Sequence, residues 1–128
     1  VFSIDFDGTL VQHVYPGIGE PLPGAFEVLK ELQAAGHKLI LWTCRENDGY
    51  KIHRQPLREA VEFCEQQGVV FDAVNEALPD YDFRESGLRR KPYAHYYIDD
   101  AIIGGFPGWD RIREHLVLEG VLPEKGSR

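Results

Sequence analysis

The sequence predicts an α/β fold, a three-layer, doubly wound (Rossmann-like) parallel sheet with helices on both faces. Short apolar runs of strand length recur at residues 2–6, 39–43, 69–74 and 96–99. Stretches with helical periodicity lie between or after them, and glycines follow two of those stretches where a chain leaves a helix. Strands and helices alternating at these lengths pair as parallel strands joined by crossovers.

Residues 2–6 form the first strand, followed by a loop over 10–23. A helix is expected over 24–35, where Ala25, Val28, Leu29 and Leu32 make an i, i+3, i+4, i+7 stripe and Gly36 supplies the stop. The second strand covers 39–43. After an irregular polar stretch, a second helix spans 56–67, burying Leu57, Val61 and Cys64, with Gly68 ending it. The third strand is 69–74, a long polar segment fills 75–92, and the fourth strand is 96–99. A last helix covers 109–118, its Trp109 anchored in the core, and residues 123–128 are expected to fray. Internal repeats and linkers are absent from the sequence, so residues 1–128 read as one domain.

At 128 residues, 43% of them hydrophobic and 27% charged, the chain has the composition of a globular protein with one sizeable core. Fourteen basic against 21 acidic residues give a net charge of −7. That argues against broad nucleic-acid or anionic-membrane binding, which needs a basic footprint. No apolar run reaches transmembrane length and no signal peptide is visible. Cys44 and Cys64 lack metal-ligand spacing and read as reduced thiols of a cytoplasmic protein. The chain opens on a core strand and contains no methionine, so an initiator residue is expected ahead of Val1 in the natural protein.

The chemistry gathers at strand ends. In Val1-Phe2-Ser3-Ile4-Asp5-Phe6-Asp7-Gly8-Thr9-Leu10 an apolar strand runs into two carboxylates two residues apart and breaks at a glycine. Residues i and i+2 of a strand share a face, so Asp5 and Asp7 are expected to point into one pocket. Carboxylates held that close repel unless a cation or proton lies between them, which suits a magnesium site better than an accidental acidic turn. Lys38-Leu39-Ile40-Leu41-Trp42-Thr43 ends in a hydroxyl, Arg89-Arg90-Lys91-Pro92 carries a lysine, and Tyr96-Tyr97-Ile98-Asp99-Asp100 ends in a second acidic pair. All but the lysine lie at the carboxyl ends of predicted parallel strands, the rim where open sheets bind ligands.

The order D-x-D-G-T, strand-terminal Thr, Lys, strand-terminal Asp-Asp resembles the haloacid dehalogenase-like (HAD) superfamily of phosphotransferases, over nearly the whole chain. The resemblance implies that the first strand is central, between the second and the fourth. It implies Asp5 as nucleophile, Asp7 as general acid and base, Thr43 as a hydrogen-bond donor to a phosphoryl oxygen, and Lys91 as the neutralising cation. Magnesium would be held by Asp5, the backbone carbonyl of Asp7 (its side chain left free), Asp99, and Asp100 directly, through water or as a brace. Gly8 and Thr9 are expected at the phosphate, Gly8 for its turn and the surrounding N–H groups as a cradle. Arg45 reads either as a substrate contact or as a solvated loop residue, His13 and Tyr15 as entrance or surface, and Asn75 as a substrate contact or the cap of its own turn.

Neither the stretch between Thr9 and Thr43 nor that between Cys44 and Arg90 has room for a full cap domain. The resemblance therefore implies a small capless phosphatase whose rim is covered by its own loops or by a second subunit of a homo-oligomer. A small phosphorylated metabolite is the expected substrate, with neither nucleic acid nor membrane as partner. The alternatives are a phosphotransferase or phosphomutase, a receiver-like signalling module and an idle phosphate-binding protein. The late position of the second acidic pair fits a receiver poorly.

Overall fold

A computed structural model describes residues 1–47, 54–81 and 91–124. Within them four strands, β1 (Phe2–Ile4), β2 (Leu39–Leu41), β3 (Ala73–Val74) and β4 (Tyr96–Ile98), form one sheet in the order β3-β2-β1-β4. All pairings are parallel: Phe2 lies opposite Leu39 and Tyr96, Ile4 opposite Leu41 and Ile98, and Leu41 opposite Val74. Three α-helices are described, α1 (Ala25–Ala34), α2 (Pro56–Gln66) and α3 (Trp109–Leu118). The molecule is thus an α/β protein with an all-parallel, Rossmann-like sheet, and β1 is central as expected.

Every residue of β1 and β2 is buried, as expected of parallel strands covered on both faces. Phe2 stacks on Tyr96 of the neighbouring strand, ring centroids 4.8 Å apart. α1 presents Ala25, Phe26, Val28, Leu29 and Leu32 to the same core, which also takes Trp109, Leu116 and Leu122. α1 and α3 touch directly, and the half-buried Arg113–Glu31 ion pair joins them at 2.8 Å.

All three helices stop on the same device. Gly36, Gly68 and Gly120 take φ of 91°, 92° and 78°. The next N–H then reaches back to the helix, from His37 to Leu32, Val69 to Cys64 and Val121 to Leu116. This is the Schellman arrangement, which favours glycine because its left-handed residue carries no Cβ.

The third strand is shorter than residues 69–74. The Val69 N–H closes the end of α2, and Val70 is exposed. Ladder bonding begins only at Asp72, whose N–H donates to the Leu39 carbonyl while its carboxylate accepts the Leu39 N–H at 2.8 Å. The second helix buries Cys64 as expected, together with Pro56 and Ala60, while Val61 packs half-buried against the core and Leu57 is half-buried and lines a cavity. Among the described residues no helix is long and apolar enough to cross a membrane.

Candidate functional site

The ladder of β1 ends at Ile4, with the Asp5 N–H donating to Ile98 at 3.0 Å. The chain then folds sharply on itself, the Phe6 carbonyl accepting from the N–H groups of Thr9 and Leu10. The two carboxylates of this segment take different partners. Asp5 turns to the carboxyl end of β4, where oxygens of Asp5, Asp99 and Asp100 lie within 4.8 Å of one another. The Asp7 carboxylate is held by Arg45.

Asp5 is half-buried. Burial, the Asp99 charge and a side-chain hydrogen bond with Asp100 push its carboxyl up to about 7, opposed by the Phe6 N–H that bonds to it. Desolvation and like charges both disfavour the ionised form. The hydroxyl of Thr9 donates to the same carboxylate at 3.2 Å. Thr9 itself is fully buried, and its carbonyl accepts the indole N–H of Trp109 at 2.7 Å.

Gly8 stands against the cluster from the other side. Its φ is 82°, and a Cβ there would collide with the Asp100 carboxylate. The expected phosphate cradle differs at this turn, because the Gly8 and Thr9 N–H groups donate internally, to Val11 at 2.8 Å and to Phe6 at 3.2 Å. Gly8 gives the acidic cluster room, and Thr9 orients Asp5.

Two cavities open on Asp5, and Trp42 and Asp99 line both. One, of about 540 Å³, also takes Thr43, Asn75 and Leu57. The other, of about 410 Å³, also takes Lys91, Tyr97 and Ile102. The structure thus brings Asp5, Thr43, Lys91, Asp99 and Asp100 to one rim. Lys91 is exposed, its ammonium 4.1 Å from the centre of the Tyr97 ring. That ring is clamped, its hydroxyl donating to the Pro92 carbonyl at 2.6 Å and accepting the Ala94 N–H at 3.1 Å.

Thr43 is held from both sides. Its N–H donates to Asn75 Oδ1 at 2.8 Å, and its hydroxyl oxygen accepts the Arg45 N–H at 3.1 Å. Asn75 takes a positive φ of 54° and donates through Nδ2 to the Arg45 carbonyl at 3.4 Å, so it braces the turn after β2. A strand-end asparagine, tolerant of left-handed backbone, was the available signal for that role.

Arg45 corrects both readings offered for it. Only 1% of its side chain is exposed, and it grips Asp7 with two parallel bonds, Nε to Oδ2 at 2.8 Å and an Nη to Oδ1 at 2.7 Å. His13 and Tyr15 are exposed, although the Tyr15 ring lies 5.2 Å from the Arg45 guanidinium. The sequence reading passed over Trp42 as a shared cavity wall, the Trp109–Thr9 bond and the Arg45–Asp7 pair. Each joins residues far apart in the chain, and local pattern carries no trace of the pairing.

Fold and site together define an α/β protein with a parallel Rossmann-like sheet and a three-carboxylate cluster, able to take a metal ion, at the carboxyl ends of adjacent strands. No protein-family model matches the chain, and no curated protein matches it. A solved structure, that of the conserved protein coded by a locus from Bacteroides thetaiotaomicron, is similar to it. The two are 43% identical with a TM-score of 0.75, over 93% of this chain and 89% of that one. The chain belongs to the same family as that conserved protein.

Proposed function

We propose that the protein is a magnesium-dependent phosphomonoester hydrolase of the haloacid dehalogenase type, with a doubly wound core and no large cap, working through an aspartyl-phosphate on Asp5. The observation that carries this is the packing of Asp5, Asp99 and Asp100 within 4.8 Å at adjacent strand ends. Burial and then the Asp99 and Asp100 carboxylates lift the Asp5 pKa, and a divalent cation would offset the like-charge part of that cost. The donor set is all carboxylate oxygen, which suits a hard cation such as magnesium. Asp5, Asp99, Asp100 and the backbone carbonyl of Asp7 would hold it. When bound, magnesium supplies charge neutralisation to the phosphoryl oxygens.

In the first step an Asp5 oxygen attacks phosphorus in line. The bond to the leaving oxygen breaks as the new one forms, and Asp7 gives that oxygen a proton. Water then attacks phosphorus, Asp7 takes its proton, and orthophosphate departs to restore Asp5. A carboxylate has about four acceptor sites, so Arg45 leaves Asp7 others for this traffic. The Thr43 oxygen already accepts from Arg45, which leaves its own proton to donate to a phosphoryl oxygen. Lys91 neutralises the transferring group. A small phosphorylated metabolite is the proposed substrate, since a net charge of −7 repels a polyanionic partner at long range.

The test is hydrolysis of a generic aryl phosphate with magnesium, with chelator, and by Asp5→Asn. Chelation and the substitution are each expected to abolish turnover, the latter by several orders of magnitude. Activity surviving both overturns the mechanism. A screen of phosphorylated metabolites by kcat/KM then tests the substrate class. Efficient release from a phosphoprotein or nucleic-acid end alone would overturn it.

A further inference from the structure

We propose that Arg45 is a positioning residue for catalysis, locking the Asp7 carboxylate in the orientation from which it exchanges protons with the leaving oxygen and with water. The inference rests on the hydrolase reading above and deepens it, assigning a role that the four motifs leave out.

The guanidinium uses all five of its N–H donors. Nε and one Nη hold Asp7, and the same Nη also reaches the Gly17 carbonyl at 2.6 Å. The other Nη donates to the carbonyls of Pro16 at 3.1 Å and Pro56 at 3.2 Å. The charge also lies over the Phe6 ring, 4.9 Å from its centre. An arginine buried this deeply is costly unless fully paired, and here every donor is matched.

A residue needed only to join the 15–17 loop to α2 could bond to carbonyls alone. This one directs its planar fork at the single carboxylate two residues after Asp5. Two parallel bonds fix the plane of that carboxylate as well as its position, which a lysine's point charge cannot do. Because the fork is itself held by three carbonyls from two other segments, Asp7 is oriented by the fold.

The test separates the two steps Asp7 serves. kcat/KM reports events up to phosphoenzyme formation, where an alkyl leaving group needs a proton and a nitrophenolate does not. In R45K, kcat/KM for an alkyl phosphomonoester is expected to fall about a hundredfold, and for nitrophenyl phosphate by no more than about threefold. Dephosphorylation, which needs Asp7 as base, slows for both. Nitrophenyl phosphate should therefore give a burst of nitrophenol and a trapped phosphoenzyme that wild type lacks.

Amide hydrogen exchange, which is independent of activity, is expected to speed up in residues 12–17 and to stay unchanged in β1. D7N/R45K should be no worse than D7N. Equal losses on both substrates without a burst, or losses that add in the double variant, overturn the proposal while the hydrolase reading stands. If R45K is too unstable to assay, D7N/R45Q carries the same comparison with D7N, since it removes both charges. A wild type without magnesium-dependent phosphatase activity overturns the parent reading and this inference with it.

Discussion

Burial and acidic neighbours raise the Asp5 carboxyl from 3.8 to about 7 in the folded protein, and that shift has a sign in stability. A carboxyl whose folded value lies above its unfolded one favours folding most when both states are protonated. Its contribution is full below about pH 4, declines as pH rises, and is lost above about pH 7. For a half-buried, partly solvent-screened group the swing is on the order of 2 kcal/mol. Without divalent cation, thermal melts are therefore expected to show wild type losing stability relative to Asp5→Asn between pH 4 and 7. Magnesium should restore more of it at pH 8 than at pH 5, and a wild type that tracks Asp5→Asn across that range would contradict the shift. The carboxylates also divide their labour. Asp99→Asn should weaken magnesium binding by about tenfold or more, as loss of an anionic ligand does. Asp7→Asn should leave magnesium affinity nearly unchanged while turnover falls by about a hundredfold or more. Calorimetric titrations showing the reverse order would exchange the two roles. The residue types and their order along the chain could be read from the sequence. The partners of Asp5 and Asp7 could not, because Asp99, Asp100 and Arg45 are remote in the chain and only the fold brings them near.

At the scale of elements, periodicity and stop signals worked where a helix packs one face on the core. α3 covers the expected residues, and α1 buries the expected stripe. They failed at β3, where the Schellman end of α2 takes the Val69 N–H that a strand would have used. An apolar run cannot reveal that competition. Glycines that look alike in sequence also separate here. Gly8 and Gly120 both take left-handed backbone, at φ 82° and 78°, but only Gly8 has a carboxylate where its Cβ would stand. Gly120→Ala should cost about 1 kcal/mol, the backbone penalty alone, and leave magnesium binding untouched. Gly8→Ala should cost more than about 2 kcal/mol and weaken magnesium binding, because Asp100 must move. Denaturant melts with metal titration check both, and equal effects would show that Gly8 serves the turn only.

At the scale of the whole molecule, the site is held by contacts that close the chain on itself. The indole N–H of Trp109 reaches the Thr9 carbonyl across 100 residues, tying α3 to the turn that orients Asp5. Trp109→Phe keeps most of the packing and removes this bond. It is expected to destabilise by about 1 kcal/mol, or somewhat more if the carbonyl stays buried and unpaired. Chemical denaturation checks the figure, and an unchanged midpoint would mean that solvent replaces the bond. The sequence by itself determined the α/β class, the order of the elements and the residues that reach the carboxyl rim. Those follow from local periodicity and from the geometry of a parallel sheet, which sends every strand end to one side. Only the tertiary structure decided which of those side chains meet. Asp5 joins Asp99 and Asp100 because β1 pairs with β4. Asp7 goes to Arg45 because a buried guanidinium needs an anion, and Asp7 is the carboxylate its fork holds. Such pairings depend on distance in space and on burial, neither of which is written in the spacing of residues along a chain.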